Sequence, residues 1–342
     1  MEGIITEIMR FSLKDGPGIR TTVFLKGCNM VCRWCHNPET LSLEPQLMRY
    51  PALCIGCLEC VGACPNGAVE LIEVDAAGAG LAADAGAAGD AAFSAEAAGV
   101  AAGAATAADT AAGAKSTAAL AYHREKCVAC GACADKCFSG ALVMSGVKMS
   151  VDEVMREVIQ DIDYYRNSGG GLTISGGEAA CQPEFSVELL RAAKEAGIST
   201  AIETNMLAAW PIYEKMLPYL DLVMLDIKHS DDAEHRKWTG AGNAEVLSNA
   251  RRISELKPTI VRTPVIPGVN DNAAEIGRIA DIVKTMKNIM SFELLLYNPL
   301  GESKYAALDA ADEFKGARPA GQPLADELKA AAQKSGVTVK IG

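Results

Sequence analysis

Eleven of the twelve cysteines in this 342-residue chain fall into three short runs, and no other feature narrows the possible folds as far. The first run is Cys28-x3-Cys32-x2-Cys35, directly after a strand-like stretch at residues 21–25. The second is Cys54-x2-Cys57-x2-Cys60-x3-Cys64, and the third is Cys127-x2-Cys130-x2-Cys133-x3-Cys137. Such grouping marks metal ligands rather than a disulfide framework, and soft thiolates select an iron–sulfur cluster or zinc. The opening Met1-Glu2-Gly3-Ile4-Ile5-Thr6-Glu7 lacks the basic and apolar regions of a signal peptide. A reducing, cytoplasmic setting is therefore expected, where structural disulfides are rare. Cys181, standing alone, reads as a small hydrophobe.

The number of ligands separates the runs. Structural zinc closes on four ligands, usually two separated pairs, and no fourth cysteine lies near the first run. A four-iron cluster held by three thiolates keeps one iron open for a substrate; a zinc knuckle is the alternative. The second run ends in Cys64-Pro65 and matches the bacterial ferredoxin spacing, and the third repeats it with Phe138 in place of the proline. Each is followed by a strand signal, Gly67-Ala68-Val69 or Gly140-Ala141-Leu142-Val143. This duplication resembles a two-cluster ferredoxin module, in which the fourth cysteine of each run ligates the other cluster. The resemblance implies one cluster on Cys54, Cys57, Cys60 and Cys137, and another on Cys64, Cys127, Cys130 and Cys133. A pair of zinc ribbons would need two pairs per site and leaves four cysteines in each run unexplained.

A formal charge of -11 argues against nucleic acid or an anionic membrane as the main partner. No stretch reaches the roughly 20 apolar residues of a membrane span. Between the two ferredoxin-like runs, residues 75–121 collapse into Ala, Gly, Asp, Thr and Ser. Side chains so small bury too little surface to offset ordering, so a disordered insertion is expected. From Ser150 onward Val151, Val154, Met155, Val158, Ile159, Ile162 and Tyr165 recur at helical spacing, and Asn167-Ser168-Gly169-Gly170-Gly171 ends that helix. Strand-like runs at 172–175, 199–203, 222–226, 259–262 and 292–296 then alternate with helical patterns. With residues 21–25 they make six parallel strands, too few for a full eight-stranded barrel.

Ligands of parallel α/β folds sit at the C-terminal strand ends, and there the polar residues gather. They are Ser175-Gly176-Gly177-Glu178, Glu203-Thr204-Asn205, Asp226-Ile227-Lys228, Arg262-Thr263-Pro264 and Tyr297-Asn298-Pro299. Gly-Gly-Glu alone is an ordinary turn, and Asp226 with Lys228 alone a surface ion pair; five clusters at five successive strand ends are harder to explain as turns. Residues 10–20, with the turn Asp15-Gly16-Pro17-Gly18, read as a loop that leads into the first strand and lies near the metal site.

With Trp34-Cys35-His36-Asn37-Pro38-Glu39, Pro267-Gly268-Val269-Asn270-Asp271 and Gly301-Glu302-Ser303-Lys304-Tyr305, these motifs resemble the glycyl radical enzyme activating enzymes. That group, typified by pyruvate formate-lyase activase, belongs to the radical S-adenosylmethionine (SAM) superfamily, here with an inserted ferredoxin domain. The resemblance implies an α/β fold, a partial (β/α)6 radical SAM barrel with an inserted bacterial-ferredoxin-like α+β domain. Residues 1–50 and 146–342 would form the core, and residues 51–145 the insert. Cys28, Cys32 and Cys35 would hold the SAM cluster, giving three [4Fe-4S] clusters in all. Trp34, Cys35, His36, Gly176, Gly177, Glu178, Glu203, Asp226, Ile227, Lys228, Arg262 and Asn298 would surround SAM. Glu203, Thr204, Met224 and Asp226 line up with a monovalent-cation site, although Glu203 stands where Asp is common.

The implied reaction is reductive cleavage of SAM and abstraction of a glycine Cα hydrogen from a large glycyl radical enzyme. Flavodoxin or ferredoxin would be the reductant. Hydrogen-atom transfer needs no general base, in keeping with only four histidines. The competing readings are a peptide-maturing radical SAM enzyme with auxiliary clusters and a non-catalytic iron–sulfur electron carrier. The first usually carries its extra cysteines after the core, and the second needs neither an open three-cysteine site nor the strand-end set.

Overall fold

The computed structural model describes residues 1–74, 93–94 and 117–342, so most of the insertion expected to be disordered lies outside the described residues. The chain forms two compact units. The first contains Met1–Pro45, Ser145–Lys304 and Asp312–Gly342; the second contains Gln46–Met144 and Tyr305–Ala311.

In chain order, β1 (Glu2–Ser12) and β2 (Arg20–Leu25) open the first unit. The second unit then supplies β3 (Gln46–Arg49), β4 (Val69–Val74), β5 (Phe93–Ser94), β6 (Thr117–Tyr122) and β7 (Leu142–Ser145). The chain returns with β8 (Val147–Ser150), β9 (Gly171–Gly176), β10 (Ser199–Thr204), β11 (Leu222–Asp226), β12 (Thr259–Val265), β13 (Ile289–Leu296) and β14 (Val339–Ile341).

The nine strands of the first unit form one sheet in the order β14-β13-β12-β11-β10-β9-β2-β1-β8. Every neighbour from β2 through β14 is parallel, whereas β1 runs antiparallel to both β2 and β8. β2 and β9–β13 are the six strands expected, and the order is that of a partial α/β barrel. Parallel neighbours need long crossovers, supplied by helices such as Pro183–Glu195, Ala244–Leu256, Ala273–Val283 and Gln322–Ala332. Alternation along the strands then sorts the side chains. Ile174, Ile202, Val223, Leu225, Val261, Phe292 and Leu294 are fully buried in the main core with helix residues such as Leu189, Ile253, Ile279 and Leu328. Each contributes about 1.5–3 kcal/mol through burial. Ala201, Leu222, Met224 and Ile260 form a separate small cluster.

Three expectations need correcting. The helix read through Tyr165 is two, Val151–Ile159 and Ile162–Ser168. A Ser150–Glu153 capping box starts the first, but Asp161 turns inward to accept hydrogen bonds from Arg10 Nε (2.9 Å) and Thr21 Oγ1 (2.9 Å), which breaks the run. Residues 10–12, read as part of a loop, belong to β1. Residues 117–121, read as disordered, belong to β6, which pairs antiparallel with β4 from Val69↔Tyr122 to Val74↔Thr117. Tyr122 anchors that strand in a small core with Leu47, Val69 and Cys133.

Candidate active site

A cavity of about 720 Å³ opens in the first unit, lined along the strand ends by residues of β9 to β13. Register builds it. Parallel pairing sets Glu203 beside Met224, Asp226 beside Arg262, and Arg262 beside Glu293. Ser175 Oγ donates to Glu203 Oε2 at 2.5 Å, and Arg262 Nη1 pairs with Glu203 Oε1. The same guanidinium reaches Glu293 at 3.2 Å and the Lys14 carbonyl at 2.6 Å. Burial works against its charge, but Glu203, Glu293 and Asp226 outweigh that and keep Arg262 protonated. Lys228 Nζ donates to Asp226 Oδ2 at 2.6 Å, and Asp226 likewise outweighs the desolvation of the buried ammonium.

The three thiols of the first run line the same cavity. Their loop is held by Val31 N to Thr239 O (2.9 Å), Arg33 N to Trp238 O (3.1 Å) and a turn from Cys35 N to Cys32 O (3.0 Å). Burial pushes the Cys28 and Cys35 thiols up to about 12 and raises Cys32 as well. Bare thiolates are thus disfavoured there, and a bound metal that deprotonates thiols outright is what would make this donor set effective. The residues fit an iron–sulfur cluster with three protein ligands.

Of the residues expected around SAM, Trp34, Cys35, His36, Gly176, Gly177, Glu203, Asp226, Lys228, Arg262 and Asn298 line the cavity. Gly176 has φ +114° and any Cβ there would overlap the Leu25 backbone, so the Gly-Gly turn presents bare peptide to the cavity. Burial and the nearby Lys304 ammonium lower the His36 pKa, which favours the neutral ring. Two expected residues sit elsewhere. Glu178, 1% exposed, accepts from Ala180 N (3.0 Å), Asn205 N (2.7 Å) and Thr204 Oγ1 (2.9 Å) and is not part of the lining. Its carboxylate ties the β9 turn to the β10 end. Ile227 is a core residue whose backbone N–H donates to the Arg262 carbonyl.

Glu203, Thr204, Met224 and Asp226 do share the cavity, but the set does not fit a monovalent cation. Both Glu203 oxygens are engaged by Arg262 and Ser175, and Lys228 occupies Asp226. Several contributors escaped sequence reasoning. Glu293 interrupts an apolar strand, a signal for an inward polar group, and Lys14 lines the cavity next to Asp15 of the loop expected near the metal site. Lys304 binds Asn37 Oδ1 (2.7 Å) and Glu39 Oε1 (2.6 Å), which joins two motifs quoted separately. Cys181 stays outside the lining, and burial pushes its thiol up to about 11.

Two small cavities lie among the described residues of the second unit. One, of about 70 Å³, is lined by Cys54, Cys57, Cys60 and Cys137; the other, of about 20 Å³, by Cys64, Cys127, Cys130 and Cys133. Each set takes three thiols from one run and the fourth from the other. The cross-over thiols are the best supplied with donors: Ala68 N lies 3.1 Å from Cys64 Sγ and Leu142 N 3.3 Å from Cys137 Sγ. Among the described residues no three His, Cys, Asp or Glu side chains converge on a point suited to a single ion. No helix there is long and apolar enough to cross a membrane.

Comparison with known proteins agrees with this geometry. The radical SAM superfamily matches residues 125–279, a 4Fe-4S dicluster domain residues 53–141, and a 4Fe-4S single cluster domain residues 14–53. The isethionate sulfite-lyase activating enzyme of Nitratidesulfovibrio vulgaris is 38% identical over 314 residues, 90% of this chain and 88% of its own. The (2S)-3-sulfopropanediol dehydratase activating enzyme of Klebsiella oxytoca is 34% identical, across 92% of this chain and 87% of its own. A crystallised domain of pyruvate-formate lyase-activating enzyme from Bacteroides vulgatus is 24% identical over 51% of this chain and 99% of that domain, with a TM-score of 0.44. Iron–sulfur clusters of the 4Fe-4S type and SAM are accordingly the cofactors. This chain belongs to the glycyl radical enzyme activating enzymes of the radical SAM superfamily.

Proposed function

We propose that Cys28, Cys32 and Cys35 hold a [4Fe-4S] cluster whose fourth iron binds SAM. Two further clusters use the crossed sets Cys54, Cys57, Cys60, Cys137 and Cys64, Cys127, Cys130, Cys133. The observation that carries this reading is the pairing of three partly buried thiols with one large cavity, against four thiols around each small one. When bound and reduced, cluster and SAM supply a 5′-deoxyadenosyl radical that takes a hydrogen atom from a glycine Cα of the partner protein.

The chain's own residues bind and orient. Lys228 and Arg262 present fixed positive charge to the SAM carboxylate, as preorganised donors do in a water-poor site. The Gly176–Gly177 backbone would approach the methionine end, and a side chain at either position would collide with the backbone of Leu25, Gly27 or Thr40 and displace the turn. Trp34, packed with Ile266, Tyr297 and Phe314, walls the cavity against water. Asn298 Oδ1 accepts from Leu300 N at 3.2 Å, which fixes its side chain at the rim without offering a titratable group. Arg262, Ser175 and Lys228 engage both Glu203 oxygens and one Asp226 oxygen that a monovalent cation would need, so exchanging sodium and potassium for choline should leave SAM cleavage unchanged. The partner is a large glycyl radical enzyme, the reductant a flavodoxin or ferredoxin, and the setting the cytoplasm.

The test is anaerobic incubation of the reduced, reconstituted protein with SAM and its glycyl radical enzyme partner. A glycyl radical EPR doublet and 5′-deoxyadenosine support the reading; absence of both sinks it.

A further inference from the structure

One buried group in the second unit has no role in the chemistry above. Tyr122 is 4% exposed, and its hydroxyl is buried without a hydrogen-bond partner. The hydroxyl faces the Cys127 thiol, and burial together with that thiol raises the phenol's pKa. Tyr122 lines both small cavities and so adjoins the two crossed cysteine sets. The ring itself is flanked by two guanidiniums. Arg49 lies 4.3 Å and Arg124 5.3 Å from its centroid, and Asp309 anchors both, at 2.8 Å and 2.7 Å. A phenylalanine would fill the same volume without burying an unsatisfied donor. The acceptor facing that hydroxyl is the Cys127 sulfur, weak as a thiol and much stronger as a cluster-bound thiolate.

We infer that Tyr122 donates a hydrogen bond to the sulfur shell of the cluster held by Cys64, Cys127, Cys130 and Cys133, and thereby raises that cluster's reduction potential without raising its neighbour's. This rests on the two-cluster reading above. Hydrogen bonds to cluster and cysteinyl sulfur are among the determinants of iron–sulfur potentials. One-electron reduction makes those sulfurs more negative, so a donor stabilises the reduced form more than the oxidised one. No bond is made or broken, and the electron comes from the external reductant. The other set has its own hydroxyl, Ser139 Oγ at 3.6 Å from Cys137 Sγ. That residue is only partly buried and also accepts from Ala141 N at 3.4 Å, so it is not an orphan awaiting a cluster.

The experiment is an EPR-monitored redox titration of the anaerobically reconstituted full chain carrying Cys32→Ala, which removes the signal of the first cluster. Parent and Tyr122→Phe are compared, and each signal is assigned by its loss in Cys57→Ala or Cys130→Ala. Both proteins should hold about eight irons, as two ferredoxin-type clusters give. In Tyr122→Phe the Cys130-dependent cluster should show about a tenfold lower reduced-to-oxidised ratio at a given potential, ~59 mV for one electron. The Cys57-dependent cluster should not move. An exchangeable-proton coupling to the reduced Cys130-dependent cluster, seen by ENDOR in deuterated solvent, should also disappear. Full iron content with neither potential shifted, or both shifted equally, overturns the inference and leaves the two-cluster reading standing. Fewer than eight irons in the parent itself overturns that reading and the inference with it. If only Tyr122→Phe loses iron, fluorotyrosine incorporated in a Tyr50→Phe background gives a stronger donor at 122. The Cys130-dependent potential must then rise, and no rise overturns the inference.

Discussion

The two units gather thiols in different ways. In the first, Cys28, Cys32 and Cys35 share a cavity of about 720 Å³ with Asp226, Lys228, Arg262 and a bare Gly-Gly turn. In the second, two sets of four thiols each enclose no more than about 70 Å³, with mostly apolar neighbours such as Leu58, Val69 and Leu142. A set of four leaves a metal cluster nothing to bind, so it suits electron storage and transfer. A set of three beside unfilled polar space suits a ligand. Ligand count and leftover volume together distinguish the catalytic site, and neither does so alone.

The largest effect should come from breaking the set of three. Cys32→Ala should abolish SAM cleavage while about eight irons remain in the second unit, as two ferredoxin-type clusters give. Cleavage that persists, or iron lost from the whole protein, would erase the contrast between the units. Next in size is the crossed ligation of the second unit. Cys137→Ala and Cys57→Ala should remove the same EPR signal, and Cys64→Ala the one removed by Cys130→Ala. If Cys137→Ala instead matches Cys130→Ala, each run holds its own cluster.

A smaller effect separates the units by pH. His235 is 1% exposed; its Nδ1 lies 2.6 Å from the Ala241 carbonyl, and its buried Nε2 has no hydrogen-bond partner. Burial lowers its pKa. Unfolded histidine takes up a proton as pH falls below about 6.5, whereas the folded ring resists it. Stability is therefore lost as pH falls from there toward the lower folded value. His235 lies in the helix Asp232–Thr239, whose Thr239 carbonyl holds the first cysteine loop. Thermal unfolding of the first unit should show this dependence, and His235→Phe should flatten it. The smallest effect should follow removal of residues 75–116. β4 and β6 end on the pair Val74↔Thr117, so an Asn-Gly turn closes them as a hairpin. Iron content and SAM cleavage should stay within about twofold, because closure entropy changes slowly with loop length.

The sequence was most legible where chemistry imposes spacing. Cysteine runs, the Gly176–Gly177 turn and the six parallel strands all follow from local pattern. What it concealed depends on partners far along the chain. β1 is an antiparallel strand whose side chains are mostly exposed or half-exposed, so its alternation is weak. Asp161 looks like a helix residue until Arg10 and Thr21 come to meet it. Glu178 reads as a ligand group because its motif lies at a strand end, yet backbone donors from Ala180 and Asn205 turn it away from the cavity. Glu203 likewise reads as a cation ligand, yet Arg262 and Ser175 engage both its oxygens. Arg262 reaches Glu203 from β12, two strands away across the sheet, and no motif spacing records that.

The central claim is that the three-thiol cavity makes a radical at a glycine of a partner protein. It is tested most directly by isotope transfer from that partner. The partner glycyl radical enzyme would be labelled with Cα-deuterated glycine and incubated anaerobically with the reduced activating enzyme and SAM. The account predicts 5′-deoxyadenosine carrying one deuterium, in step with a glycyl radical signal. Unlabelled 5′-deoxyadenosine with no radical on the partner would contradict it.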